Sequence, residues 1–102
     1  MVLLEFSMTP MTKGESVSAF VARSLDIIDR SGLPYQLTAM GTLVEGEWDD
    51  VLALVKECHF KMRRQGARVL TRISIDDREN AVNRLTGKVR DVEKALGREL
   101  RK

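Results

Sequence analysis

Cysteine and histidine are nearly absent from this 102-residue chain, which contains one residue of each type, Cys58 and His59. A single cysteine excludes a disulfide within the chain, and it excludes a structural zinc site built on several cysteines. The sequence also lacks a glycine-rich phosphate loop, metal-ligand spacing and a serine nucleophile elbow. We therefore expect no metal and no other cofactor, and the free thiol suits a reducing, cytoplasmic compartment.

An excess of one charge is also absent. Lys and Arg number 17 against 15 Asp and Glu, and the net charge of +2 gives no argument for nucleic acid as a partner. No apolar run approaches the roughly 20 residues that span a bilayer. The apolar start of the chain is interrupted by Glu5 and lacks the basic residues of a signal peptide. These absences predict a soluble, cytoplasmic protein with neither a membrane nor a nucleic-acid partner.

The chain does contain enough apolar material for one core. Hydrophobic residues make up 43% and charged residues 31% of it, a composition typical of a globular protein. A chain of this length fits one domain, so residues 1–102 are assigned to a single domain. Its basic end, residues 98–102, is expected to be a frayed tail.

Alternating apolar and polar residues predict a half-buried β-strand over residues 2–9. Pro10 should end it, because proline cannot donate to a β-ladder. Further strands are predicted at 35–39, 42–46 and 67–76, the first two joined as a hairpin.

Apolar residues at three- and four-residue spacing predict three helices. They are expected at 16–31, 48–65 and 82–96, each followed by a glycine that ends it. The resulting order is β-α-β-β-α-β with an additional C-terminal helix. This order predicts an α+β, ferredoxin-like fold, in which two helices cover one face of a four-stranded antiparallel sheet.

The other face of such a sheet needs a partner or must meet water. Leu3 and Leu70 would lie on it among polar residues such as Glu5 and Arg72, a mixture that favours an oligomer interface. The last helix carries a narrow apolar seam, which fits packing on its own sheet or on a neighbouring chain equally well.

Little in the sequence points to catalysis. Cys58 and His59 are adjacent on a predicted helix, so their side chains diverge by about 100° and do not form a nucleophilic pair. A lone histidine on a core-facing stripe is usually packed and hydrogen-bonded. Asp76 and Asp77 are more typical of a strand exit with a capped turn than of a metal site. We therefore expect that the protein is not an enzyme.

The predicted hairpin, YQLTAMGTLVEGEW, carries more polar groups than its turn needs. Hydroxyls, a phenol and carboxylates of this kind can bind a flat polar heterocycle. Thr and Tyr are also ordinary strand residues, and acids suit the start of the following helix. From composition alone, the purely structural interpretation is favoured.

A resemblance changes this balance. The stretch SGLPYQLTAMGTLVEGEWDDVLALVKECH, followed by GARVLTRISIDDR, resembles the thiamine-binding protein family, and the similarity extends over nearly the whole chain. The resemblance implies a ferredoxin-like subunit assembled as a homotetramer of sheet-packed dimers. It also implies non-catalytic binding of thiamine or of its hydroxymethylpyrimidine moiety.

Each polar group of the hairpin can be given a candidate role in binding the expected ligand. Hydroxyls of Thr38 and Thr42 and a carboxylate from Glu45 match the donor and acceptor edge of an aminopyrimidine. Glu45 or Glu47 would offset the thiazolium charge, and an aromatic ring or a thioether would contact it. The full set of candidate ligand-binding residues is Ser7, Tyr35, Thr38, Met40, Thr42, Glu45 and Glu47.

The functional expectation is thus a carrier, sensor or buffer of thiamine or its pyrimidine moiety. The first alternative is an assembly module with no small-molecule ligand. A ferredoxin-like RNA binder would stack bases on exposed sheet aromatics, but only Phe6, on the expected core face, and Tyr35 lie in the predicted strands. An enzyme acting on a thiamine precursor is a further alternative, but the sequence shows no acid–base pair for catalysis.

Overall fold

The computed structural model describes residues 1–11, 17–66, 68–79 and 84–101. Their secondary structure follows the predicted order, and it confirms the ferredoxin-like α+β fold with an additional helix. The elements are β1 (Val2–Pro10), α1 (Val17–Arg30), β2 (Tyr35–Leu37), β3 (Thr42–Gly46), α2 (Trp48–Gln65), β4 (Val69–Asp76) and α3 (Arg84–Leu96).

The described strands form one antiparallel sheet in the order β2-β3-β1-β4. In its register, Leu4 lies opposite Val44 of β3 and Ile75 of β4. Because side chains alternate along a strand, these residues and Phe6 share one face of the sheet. The pairing of β1 with β3 runs from Val2 to Phe6, while its pairing with β4 continues to Pro10.

The core lies between this face and the apolar stripes of α1 and α2. Leu4 and Val44 from the sheet and Ile28, Val51 and Cys58 from the helices are fully buried. Burying one large aliphatic side chain of this kind stabilises a protein by about 1.5–3 kcal/mol. The helical spacing of the sequence therefore places two helices on the face where β1 presents its apolar residues.

The face away from α1 and α2 is partly covered by α3. Glu45 of β3 lies opposite Leu3 of β1, so its side chain is on that second face. The backbone N–H of Arg84, at the start of α3, donates to Glu45 Oε2 at 2.6 Å. The helix whose partner the sequence left open thus packs against its own sheet at its N-terminal end.

Two predicted helix ends have the backbone geometry that favours glycine. Gly32 after α1 and Gly97 after α3 have φ of 78° and 73°. Arg98 N–H donates to Glu93 O, as in a Schellman motif, and Leu100 N–H donates to the Glu93 carboxylate. The segment expected to fray is therefore anchored at two positions.

Some boundaries differ from those predicted. β2 ends at Leu37 rather than at residue 39, because Thr38 already takes part in the turn. Residue 16, where the first predicted helix begins, and residues 82–83 of the last predicted helix lie outside the described part of the chain.

Gly32 gives a clean test of backbone strain. A Cβ built on it meets no atom within 4 Å, so any cost of Gly32→Ala comes from its positive φ alone. We expect the free energy of unfolding to fall by about 1 kcal/mol, measured by urea denaturation. Gly32→Asn is the control, because Asn tolerates this conformation better. An Ala variant as stable as the wild type would contradict the assigned geometry.

Candidate functional site

The turn between β2 and β3 is organised by Thr38. Its N–H and its Oγ1 both donate to Gly41 O at 2.8 Å. The same hydroxyl oxygen accepts the N–H groups of Met40 at 3.2 Å and Gly41 at 3.1 Å. Since a hydroxyl has one proton to give, Thr38 is fully engaged in the turn.

Gly41 allows this turn to lie directly against β1. A Cβ at this position would be 2.8 Å from Phe6 O, closer than a carbon atom and a carbonyl oxygen can approach without displacement. Glycine is therefore required by the close packing of two backbones. The contact falls where β3 stops pairing with β1.

A cleft of about 240 Å³ opens at this end of the sheet. We call it the hairpin cleft, and it lies between β1, the β2–β3 turn and α1. The residues that line it are Gly41, the apolar Phe6, Met8, Leu37, Ala39 and Met40, and the hydroxyl-bearing Ser7, Thr9, Ser24, Thr38 and Thr42. Because side chains alternate along β1, the hydroxyls of Ser7 and Thr9 lie on the opposite face of the strand from Phe6 and Met8. Ligand pockets for drug-sized molecules measure roughly 300–1,000 Å³, so the hairpin cleft suits a single small ring.

The described lining of the hairpin cleft contains no charged side chain. Its polar groups are hydroxyls and backbone amides, which can hydrogen-bond an uncharged ligand but cannot neutralise an ion. Met40 is 83% exposed at the tip of the turn, where its flexible thioether can adapt to a ring at the mouth. The arrangement thus favours a neutral, flat, hydrogen-bonding group.

Four of the seven sequence-predicted residues line the hairpin cleft: Ser7, Thr38, Met40 and Thr42. Of these, Thr42 is almost completely buried beside Phe6, its partner in the ladder.

Tyr35 is on the same face of the sheet as Thr42 but does not line the hairpin cleft. Its phenol donates to Asp29 Oδ1 at 2.9 Å. This hydrogen bond, together with the negative charge of the carboxylate, raises the pKa of Tyr35. Tyr35 therefore ties β2 to the end of α1.

The two glutamates lie apart from the hairpin cleft. Glu45 is 3% exposed on the second face of the sheet, where it accepts the N–H of Arg84. Glu47 occupies the N-cap position of α2, is exposed, and lies 4.0 Å from the N-terminal amine of Met1. Glu45 thus caps α3, and Glu47 is at the start of α2.

Ser24 is a cleft residue that sequence reasoning did not select. It is 5% exposed, and its Oγ has no hydrogen-bond partner among the described residues. Its signal in the sequence is a hydroxyl on the apolar stripe of α1. Only the fold shows that this stripe reaches the hairpin cleft.

Cys58 and His59 have structural contacts. Burial raises the pKa of the Cys58 thiol to about 11, so it is protonated at neutral pH and is a poor nucleophile. His59 Nδ1 lies 2.7 Å from Thr71 Oγ1, which links α2 to β4. Within the described ranges, no group of three or more His, Cys, Asp or Glu side chains is placed to hold a metal ion. None of the helices described there is long and apolar enough to cross a membrane.

A family model and individual relatives both match this chain over most of its length. A family model described as thiamine-binding protein matches residues 4–93. The chain is 37% identical over 96 residues to the UPF0045 protein MT1949 of Mycobacterium tuberculosis, covering 93% of this chain and 94% of that protein. It is 36% identical over 102 residues to the UPF0045 protein YqgV of Bacillus subtilis, covering 94% and 98%.

Solved structures share the fold. Protein MJ1052 of Methanocaldococcus jannaschii superposes with a TM-score of 0.79 at 33% identity, covering 94% of this chain and 95% of that one. TM0486 of Thermotoga maritima, named for thiamine biosynthesis or salvage, gives a TM-score of 0.78 at 21% identity, covering 89% and 97%. At that identity the second likeness shows the fold alone.

The contact of Glu45 with α3 predicts a stability effect. Glu45→Ala removes a buried acceptor and the negative charge at a helix N-terminus, so we expect the free energy of unfolding to fall by about 2–3 kcal/mol. Glu45→Gln keeps an acceptor and should cost about 1 kcal/mol. Urea denaturation measures both, and amide exchange should show faster opening of the first turn of α3. Unchanged exchange there would contradict the capping role.

Proposed function

The chain belongs to the thiamine-binding protein family, and on that premise we propose that it binds thiamine or its hydroxymethylpyrimidine moiety without catalysing a reaction. The observation that carries this proposal is the hairpin cleft. It brings Ser7, Thr38, Met40 and Thr42, four residues selected from the sequence as ligand contacts, into one small mixed lining.

The chemistry of the hairpin cleft supports the pyrimidine half of the vitamin as the group bound inside it. An aminopyrimidine is flat and uncharged, with apolar faces and an edge that carries both a donor and acceptors. Phe6, Met8 and Leu37 offer apolar surface for the faces, and the hydroxyl of Thr42, which shares the face of the sheet with Phe6, is the candidate partner for the edge.

The thiazolium half is expected to lie outside this uncharged lining. The sequence predicts Glu45 or Glu47 as its counter-charge, but within one chain Glu45 is bonded to the start of α3, and Glu47 is exposed at the start of α2, apart from the residues that line the cleft. Met40, at the exposed tip of the turn, is the contact that remains for the cation at the mouth of the cleft.

A carrier, sensor or buffer role in the cytoplasm fits these groups better than catalysis. The cleft offers hydroxyls, and the Thr38 hydroxyl is already committed to the turn. A general base needs a group whose pKa lies near the working pH, and the described lining contains no carboxylate, imidazole or amine.

Self-association is the second part of the proposal, as a homotetramer of sheet-packed dimers. Val89, Val92 and Leu96 of α3 are exposed in the single chain, as is Leu70 of β4. Exposed apolar residues in a helical seam are typical of an interface between chains. The same observation favours the alternative of an assembly module without a ligand, which predicts the oligomer but no binding heat.

Ligand binding is tested by titrating the protein with thiamine and, separately, with hydroxymethylpyrimidine in a calorimeter. Thr42→Val removes a hydroxyl from the cleft at nearly constant volume, and we expect about tenfold weaker affinity for both ligands. Thr71→Val is the matched control on β4, where loss of the His59 contact should lower stability and leave affinity unchanged.

Wild-type protein that gives neither heat nor a thermal shift at millimolar thiamine or pyrimidine would overturn the ligand assignment and leave the assembly module. Equal affinity of the Thr42→Val variant and the wild type would remove Thr42 from the site.

Assembly is tested by size-exclusion chromatography with light scattering. Val92→Glu places a charge in the centre of the α3 seam, and we expect a shift from the tetramer to smaller species because a buried unpaired charge is costly. Lys94→Glu adds a carboxylate to the same helix outside the seam and should leave the mass unchanged. An unaltered mass for Val92→Glu would place the interface elsewhere.

A further inference from the structure

Ser24 has a buried hydroxyl that no described residue hydrogen-bonds. Its Oγ is buried and makes no hydrogen bond to the described residues. Its backbone carbonyl, in contrast, accepts a weak hydrogen bond from the Cys58 thiol, with 3.9 Å between sulfur and oxygen. A buried polar group that lacks a partner lowers the stability of the folded protein. Alanine would therefore be more stabilising than serine at this position, unless another group hydrogen-bonds the hydroxyl.

The position of Ser24 shows where such a group would come from. Ser24 is contributed by α1, whereas the other described residues that line the hairpin cleft belong to β1 or to the β2–β3 hairpin. It therefore forms the helix side of the cleft. The unpartnered hydroxyl and the cleft are two independent observations that meet at one residue.

The hydroxyl is shielded in this conformation but can be redirected. Its Oγ is inaccessible while the residue as a whole is 5% exposed, so the exposed surface belongs to other atoms of Ser24. A serine side chain exchanges among staggered positions by rotation about one bond. Such a rotation can turn Oγ from its enclosed position toward the side of the residue that meets the cleft.

We propose that Ser24 is a specificity-determining ligand contact of the hairpin cleft, and that its hydroxyl forms a hydrogen bond with the polar edge of a small uncharged heterocycle. This inference rests on the proposed function and deepens it. A hydroxyl both donates and accepts, so it matches an exocyclic amine or a ring nitrogen. A site that completes a buried polar group in this way discriminates strongly against an analogue that lacks the matching group.

The experiment combines thermal stability with calorimetry on the Ser24→Ala variant. Without ligand, the variant should melt at the same temperature as the wild type or a few degrees higher, because it removes a hydroxyl that has no partner among the described residues. With hydroxymethylpyrimidine as the probe, its affinity should be about tenfold weaker. A purely structural serine would not combine unchanged or raised stability with lost affinity.

Ser31→Ala is the matched control, since it makes the same substitution at the end of the same helix. The Ser31 hydroxyl donates to Ile28 O at 2.6 Å and accepts Leu33 N–H at 3.2 Å. This variant should melt at a lower temperature than the wild type and bind the pyrimidine with unchanged affinity, the opposite pattern in both measurements.

Two results would overturn the inference while leaving the proposed function standing. One is wild-type affinity in Ser24→Ala, which would make Ser24 only a small residue at the packing of α1 against α2. The other is a clear fall in its melting temperature without ligand, which would mean that the hydroxyl is already bonded in the folded protein. If the wild type binds neither pyrimidine nor thiamine, the proposed function fails and this inference fails with it.

Discussion

The candidate site depends on the point at which β1 stops pairing with β3. The two strands are paired as far as Phe6 and Thr42, whereas β4 follows β1 to Pro10. Beyond Phe6, one edge of β1 has no neighbouring strand among the described residues, and buried backbone groups need partners. The turn formed by residues 38–41 closes over the start of this edge, because Gly41 can approach Phe6 O where a Cβ could not. The hairpin cleft is the space that remains.

Local periodicity in the sequence predicts the order of the elements. It also shows that two of the predicted ligand contacts cannot share one pocket. Alternation in β1 and helical spacing in α1 and α2 are local patterns, and they sufficed for the order of the elements and the face of the core. The same alternation separates Thr42 from Glu45, which are three residues apart on one strand and therefore on opposite faces. A single pocket on one face of the sheet could not receive both side chains, although both belong to the same conspicuous stretch.

Other features depend on contacts between distant parts of the chain, and no local pattern contains them. The burial of Glu45 follows from α3 packing 39 residues further along the sequence. The engagement of Tyr35 follows from the position of Asp29 at the end of α1. The exposure of Val89 and Val92 is not visible in their helical spacing, since a seam that packs on its own sheet has the same period as one that meets another chain.

Hydrogen bonds already made distinguish the hydroxyls that composition treats as equivalent. Thr38 donates to and accepts from its own turn, so a ligand that recruited its proton would have to break a hydrogen bond that organises the turn. Ser24 makes no such bond within the described chain, so a ligand that reached it would gain a hydrogen bond and relieve a cost of folding. Because a buried hydroxyl without a partner costs about 1–3 kcal/mol, removing the Ser24 hydroxyl should weaken ligand binding without lowering the stability of the free protein. Removing the Thr38 hydroxyl should instead lower that stability, because the turn loses its hydrogen bonds. Ligand-facing and fold-supporting hydroxyls in this cleft are therefore separated by the state of their hydrogen bonds rather than by their residue type.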